Sequence, residues 1–260
     1  MQSYLKAIRG IILWPLVCKN WYIGFLSFLG LIDINKRIVY KMRDGLRLVA
    51  SGNKSDFQVI REHFVHKTYI NGYIDLSQIN TAFELGAHKG YVAMQLAHLG
   101  KPEMKIYCFE PEKRNYEYLL DNIKENNLED RVFAFNLAVS NKDGTLPFYI
   151  SEHEHGHSLL PEHNNNVKKV DVMCKTIPTL MKEYKLNKLD LLKIDIEGAE
   201  YDVMFNLDRN VLEKIDYIMA EAHITTEHTI EDMIEFLKDN GYEYSIPYSF
   251  ETSILARKKN

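Results

Sequence analysis

From Asn80 onward, short apolar β-prone runs alternate with segments of helical period, and this alternation constrains the chain more than any single residue does. A strand followed by a helix reaches its next sheet partner by a crossover, so the pattern predicts an α/β fold: a mostly parallel sheet with helices on both faces. Strands are expected at residues 81–85, 105–109, 131–136, 189–194 and 217–221. Helices are expected at 91–99, 115–126, 200–205 and 229–240, the last stopped by Gly241. Two final strand-like segments, 242–246 and 252–256, follow without an intervening helix, so the last strand is expected to pair antiparallel. Between them and the first half, residues 139–169 read as irregular, with a turn at Asn141-Lys142-Asp143-Gly144 and a His-rich loop, the kind of insertion that carries specificity.

The chain of 260 residues is long enough for one large domain with an extension, and the boundary is placed at residue 75. Residues 1–75 then form an N-terminal extension and 76–260 the principal domain. Within the extension, two apolar runs, residues 11–18 and 21–32, are split by Lys19-Asn20 and the first contains Pro15. Each is shorter than the ~20 residues of a spanning helix, and no signal-peptide cleavage site is evident. One reading is a pair of short helices packed on the core. The other is peripheral membrane contact, with Trp14, Trp21 and Tyr22 at headgroup level and Lys6, Arg9 and Lys19 as anchors.

A net charge of −4, without a Lys/Arg stripe, excludes the basic field that holds a nucleic-acid backbone. Cys18, Cys108 and Cys174 lie far apart without a CxxC pair, which predicts buried thiols in a reducing, cytoplasmic compartment.

In an open parallel sheet, ligands bind outside the carboxyl ends of the strands, and the chemistry-bearing motifs should gather there. The run Phe83-Glu84-Leu85-Gly86-Ala87-His88-Lys89-Gly90 ends a strand and opens a helix. Gly86 and Gly90 let the backbone turn sharply beside a ligand, and Glu84 suits a cationic group better than a pyrophosphate. Neither GxGxxG nor GxxxxGK[ST] spacing is present, which disfavours nicotinamide and nucleoside-triphosphate sites. Glu110, in Phe109-Glu110-Pro111, closes the second strand where an acidic residue accepts hydrogen bonds from ribose hydroxyls. In Lys193-Ile194-Asp195-Ile196-Glu197-Gly198-Ala199-Glu200, period two puts Lys193, Asp195 and Glu197 on one face, ending in the cleft. Buried charges of this density are costly unless paired or functional.

These segments, together with Asn136-Leu137-Ala138-Val139-Ser140, resemble the FkbM-type methyltransferase family from about residue 55 to 242. The resemblance implies a class I methyltransferase (Rossmann-like) fold with a seven-stranded sheet, S-adenosylmethionine as cofactor, and a small-molecule or glycan hydroxyl as acceptor. It implies that Glu84, Gly86 and Gly90 hold the methionine end, Glu110 the ribose, the segment from Asn136 to Ala138 the adenine edge, that His88 and Asp195 also belong to the cofactor side, and that Asp195 and Glu197 face the reacting centre. Glu84 replaces the more usual Asp, and His88 stands where Asn is typical.

A carboxylate touching the sulfonium would favour the ground state over a transition state that is losing positive charge. Asp195, Glu197, Lys193 and His223, the last in Glu221-Ala222-His223, are therefore the catalytic candidates, with Asp195 and His223 as candidate bases. A divalent cation held by Asp195, Glu197, Glu221 or His223 is a further alternative. The run Glu152-His153-Glu154-His155-Gly156-His157 fits a solvated loop or acceptor-side lid better than a metal site. The rival function is a noncatalytic, membrane-associated binding protein that keeps the fold.

Overall fold

The computed structural model describes residues 2–150, 157–160, 168–247 and 252–259. The chain begins with α1 (Gln2–Val17), α2 (Tyr22–Phe28), an antiparallel hairpin of β1 (Arg37–Lys41) and β2 (Arg47–Ser51), and α3 (Lys54–Phe64). Next come β3 (Thr81–Leu85), α4 (Tyr91–Leu99), β4 (Lys105–Phe109), α5 (Lys113–Glu125) and β5 (Val132–Phe135). A small sheet follows from β6 (Ala138–Val139), β7 (Gly144–Ile150) and β8 (Lys168–Lys175). The chain ends with α6 (Ile177–Glu183), β9 (Leu189–Ile194), α7 (Glu200–Phe205), α8 (Arg209–Leu212), β10 (Ile215–Glu221), α9 (Ile230–Asp239), β11 (Tyr242–Ser245) and β12 (Ser253–Lys258).

The main sheet has seven strands in the order β11-β12-β10-β9-β3-β4-β5. Only β12 opposes the common direction, pairing antiparallel with both β10 and β11. Strand order reverses between β3 and β9, which pair in parallel, so their carboxyl ends flank the crevice of the fold. Every residue of β9 is buried, because a central parallel strand is covered on both faces. Its polar Asp190 is satisfied at the far end, accepting hydrogen bonds from the Asn80 and Thr81 amides at 2.7 and 3.0 Å. Local signals set the helix ends: Glu112 caps α5 by accepting from the Asn115 amide, and Thr229 with Asp232 forms a capping box on α9.

The stretch expected to be irregular contains β7 and β8, paired from Gly144↔Cys174 to Ile150↔Lys168. The order β6-β8-β7 makes β7 an edge, and the Tyr149 amide and carbonyl point outward to Ser158. Pro147, two residues earlier, has its missing N–H on that same outer side, where the ladder loses nothing. Most of the His-rich run lies outside the described residues.

The N-terminal helices pack on the body. Trp14 is fully buried, meets Tyr40 and Phe57 edge-on at 5.6 and 5.3 Å, and donates its indole N–H to the Trp21 carbonyl. Their hydrophobic cluster continues without a break to Leu191, Met219 and Leu255 of the main sheet. All three cysteines are buried free thiols, as expected. Among the described residues no helix is long and apolar enough to cross a membrane.

One buried ion pair ties α3 to the glycine-rich turn. Lys89 and Asp56, both fully buried, meet at 2.7 Å through both carboxylate oxygens, while Asp56 also accepts from the Ser51 amide and hydroxyl. Asn122 of α5 completes the link, donating to the Val49 and Lys89 carbonyls. Removing one member of such a pair strands the other charge in a dry interior, at a cost of about 3–5 kcal/mol. Asp56→Ala is therefore expected to lower unfolding free energy in urea by that amount, and the double substitution Asp56→Ala with Lys89→Met to recover most of it.

Candidate functional site

At the carboxyl ends of β3, β4, β9 and β10 a cleft of about 490 Å³ opens, a size suited to a small ligand. Of the eleven residues singled out from the sequence, Glu84, Gly86, His88, Glu110, Ala138, Lys193, Asp195, Glu197 and His223 line it. Gly90 and Asn136 do not. Gly90 begins α4 at φ +80°, where a Cβ would lie 2.4 Å from Leu119, so its role is to admit the helix against α5. Asn136 donates its side-chain amide to the Glu110 and Pro111 carbonyls and so braces the end of β4.

Gly86 marks the crossing of the two sheet halves. At φ +71° its absent Cβ would fall 1.8 Å from the Asp195 carbonyl oxygen, so no side chain is admissible there. The Gly86 and Ala87 amides both donate to the Phe109 carbonyl, and the Asp195 amide donates to the Leu85 carbonyl. His88 takes the left-handed conformation at φ +50°, a region His, Asn and Asp occupy more readily than other side chains. Its backbone amide donates to Glu110 at 2.7 Å, so position 88 acts on the second acidic residue through its main chain. The other oxygen of Glu110 accepts from the Glu112 amide at 2.8 Å, and burial pushes its carboxyl up to about 8.

Lys193 is buried at the centre. Its ammonium donates to the Gly86 carbonyl at 3.0 Å and to Asp195 at 3.2 Å, and stands 3.8 Å from Glu84. Burial opposes its charge, yet Asp195 and Glu84 raise its pKa above the usual lysine value. Burial likewise lifts Glu84 to about 7, against the pull of Lys193. For Asp195, the effect of burial is outweighed by Lys193 and His223, which keep the carboxylate ionised. The charges of this strand are thus paired, and the pair sits inside the cleft.

The second cluster surrounds His223. Buried Glu200, on the first turn of α7, accepts from the Ile196 and Gly198 amides at 2.8 Å and from His223 Nδ1 at 3.0 Å. His223 Nε2 lies 3.4 Å from Glu197 and 4.0 Å from Glu221. Burial disfavours the imidazolium, but Glu200, Asp195 and Glu197 together raise its pKa to about 10. Glu221 is lifted to about 7 by burial and by Asp195, and accepts from the Tyr69 hydroxyl at 3.1 Å. The carboxylates around His223 thus favour its imidazolium form. Asp195, Glu197 and His223 each offer a ligand atom within 4.8 Å of the others, so the same cluster could accommodate a divalent cation in place of that proton.

Several lining residues had no sequence signal. Gln58, Val59, Glu62 and His63 of α3, with Thr68 and Tyr69 beyond it, form one wall. His63 stacks on Tyr69 at 5.4 Å, and burial, with the nearby Lys193, lowers its pKa to about 4, so it is neutral. Phe148, His157 and Leu159 close another side, and the Ser158 hydroxyl donates to the Glu197 carbonyl at 2.6 Å. These positions come from segments distant in sequence, and no spacing links them to the strand-end motifs.

Residues 84–244 match the methyltransferase FkbM domain, a span that runs from the first acidic residue of the cleft to β11. The chain belongs to the FkbM methyltransferase family. It is similar to methyltransferase sdnD of Sordaria araneosa, 30% identical over 172 residues that cover 55% of this chain and 66% of that protein. It is also similar to the 31-O-demethyl-FK506 methyltransferase FkbM of Streptomyces tacrolimicus, at 23% identity over 75% of this chain and 85% of that protein. A crystal structure of methyltransferase FkbM from Methylobacillus flagellatus shares the fold with a TM-score of 0.52 at 13% identity, over 77% of this chain and 53% of that one. The chain thus carries a methyltransferase FkbM domain on a class I, Rossmann-like fold.

The proton on His223 supplies a direct check of the second cluster. Glu200→Gln is expected to move the His223 titration down from about 10 towards its ordinary 6.5, observable by NMR of the imidazole protons. Because the folded pKa is raised, the stabilising contribution of His223 is complete below about 6.5 and is lost as pH climbs through 10. Glu200→Gln should flatten that alkaline decline in thermal stability.

Proposed function

We propose that the family member described here transfers a methyl group to a hydroxyl oxygen of a small molecule or glycan, with His223 as the group that receives the hydroxyl proton. The observation that carries this reading is the clasp of His223 Nδ1 by buried Glu200, which turns Nε2 towards the cleft shared with the Gly86 turn and Glu110. The Streptomyces relative, by its name, is a methyltransferase of a 31-O-demethyl compound, and the same acceptor atom is proposed here.

The donor supplies an electrophilic methyl on a positively charged sulfur. The residues present fit it. Glu110 would take the ribose hydroxyls, Ala138 the adenine edge, and the acidic pair Glu84 and Asp195, with Gly86, the amino-acid end. Lys193 keeps that acidic pair from repelling itself, and it fixes the Gly86 carbonyl while doing so.

His223 is positioned by Glu200 and protonated by the surplus of carboxylates around it. A cationic donor in this cleft offsets that surplus and weakens the hold of Asp195, Glu197 and Glu221 on the Nε2 proton. Nε2 would first pass its proton to Glu221, 4.0 Å away, and would then accept the proton of the hydroxyl as the oxygen–methyl bond forms and the sulfur–methyl bond breaks. Residues 58–69 and the loop bearing His157 would hold the acceptor, so residues 76–260 carry the donor half while the preceding segment completes the acceptor wall. Three buried thiols agree with a reducing, cytoplasmic setting.

Calorimetric titration of S-adenosylmethionine tests the donor half. The full chain is expected to bind it, and Glu110→Gln to weaken binding by about tenfold or more, since one carboxylate oxygen becomes a donor. Affinity should rise as pH increases through about 8, because the hydroxyls bind the ionised form of Glu110, which burial makes hard to reach. Absence of binding by a folded chain would falsify the reading. For the acceptor half, His223→Ala should retain donor affinity while release of S-adenosylhomocysteine in the presence of a hydroxylated acceptor falls ~10²–10⁴-fold.

A further inference from the structure

The N-terminal helices carry a surface that neither the cleft nor the core accounts for. Ten of the fifteen large hydrophobic side chains that are exposed among the described residues lie between positions 11 and 34. On α1, Ile12 and Leu16 stand one turn apart at 66% and 69% exposure, and Tyr22, Leu26 and Leu29 repeat the spacing along and just beyond α2. The opposite faces of both helices are fixed by close packing. Trp14 and Cys18 are fully buried, and a Cβ at Gly24 would lie 2.4 Å from the Phe57 ring. The apolar residues therefore face outward because the helices cannot roll.

Charge is distributed unevenly around this face. Residues 1–54 hold nine Lys and Arg but only two Asp, whereas residues 55–260 hold twenty-three basic and thirty-four acidic side chains. Backbone contacts bring part of that positive charge to the junction of α1 and α2. The Lys19 amide donates to the Lys41 carbonyl, the Arg43 amide to Val17 and its guanidinium to Pro15. Lys19, Lys41 and Arg43 are all exposed, as are Arg9 ahead of the apolar face and Lys36 beyond it. Trp21, packed edge-on against Tyr22 and Phe25, is 41% exposed at the same junction, and indole and phenol rings partition to the headgroup layer.

We propose that the outer face of α1 and α2 docks on an anionic lipid bilayer, its apolar residues entering the headgroup boundary and its basic rim meeting the lipid charge. Apolar area and basic residues on one short amphipathic segment are the two attractions such binding needs. A second copy of the chain fits less well, because a twofold interface would press the same basic rim against itself. The face also lies on the outer side of α3, whose Gln58, Glu62 and His63 line the cleft, so docking leaves that wall between lipid and ligand.

Flotation of the full chain with vesicles tests this without any methyl transfer. Binding is expected to vesicles of phosphatidylcholine with one quarter phosphatidylglycerol, much less to phosphatidylcholine alone, and to weaken as salt is raised. Ile12→Glu with Leu16→Glu should abolish flotation, while thermal unfolding followed by circular dichroism stays unchanged because both side chains are exposed. Lys19→Glu with Lys41→Glu should reduce binding by about fivefold or more for each charge lost. Failure of the native chain to float with anionic vesicles would overturn the proposal, as would flotation untouched by either pair of substitutions. Sedimentation equilibrium showing a dimer that Ile12→Glu with Leu16→Glu dissociates would assign the face to a second copy instead.

Discussion

Lys193 is the interaction on which the site depends. A single ammonium, buried where the strand order reverses, donates to a carbonyl of the glycine turn that follows the neighbouring strand and to the carboxylate just beyond its own. Without it, Glu84 and Asp195 would confront one another in a dry interior, and the close approach of Gly86 to Asp195 would rest on the backbone hydrogen bond from Asp195 to Leu85 alone. The absence of a side chain at Gly86 makes the approach sterically admissible, and Lys193 makes it favourable. Together they hold the carboxyl ends of β3 and β9 at the spacing that a cleft between them requires.

Around that centre the cleft keeps more negative than positive charge, and protons take up part of the difference. Burial moves Glu84 and Glu221 to about 7 and Glu110 to about 8, while His223 is held as an imidazolium. Groups that titrate close to neutrality can exchange protons when another charge arrives, which suits a reaction whose donor brings a positive charge and then loses it. The same surplus explains why one set of side chains has the geometry of a cation site and of a proton site alike.

Much of the sheet was legible because its signals are local. Strands β3, β4 and β9 and helices α4 and α7 begin and end where periodicity, caps and glycines place them. The donor side was legible too, since its residues sit on strand ends that the alternation itself locates. What was not legible arises from tertiary placement. Tyr69 and His63 reach the cleft only because α3 packs across it, and the protonated state of His223 depends on Glu200, twenty-three positions away, being folded under it. The stretch 139–169 was read as irregular, and β7 within it is ordered by its pairing with β8 across the sheet.

The edge strand β7 has a consequence beyond the fold of one chain. An exposed strand is a template on which another molecule can add a strand, and β7 borders a sheet of only three. Its outer side pairs at Tyr149 with Ser158, and the next outward-pointing position is Pro147, which has no amide hydrogen to offer. A strand arriving from elsewhere would find the ladder interrupted after one bridge. Pro147 thereby guards the edge of β7 against association with its own kind.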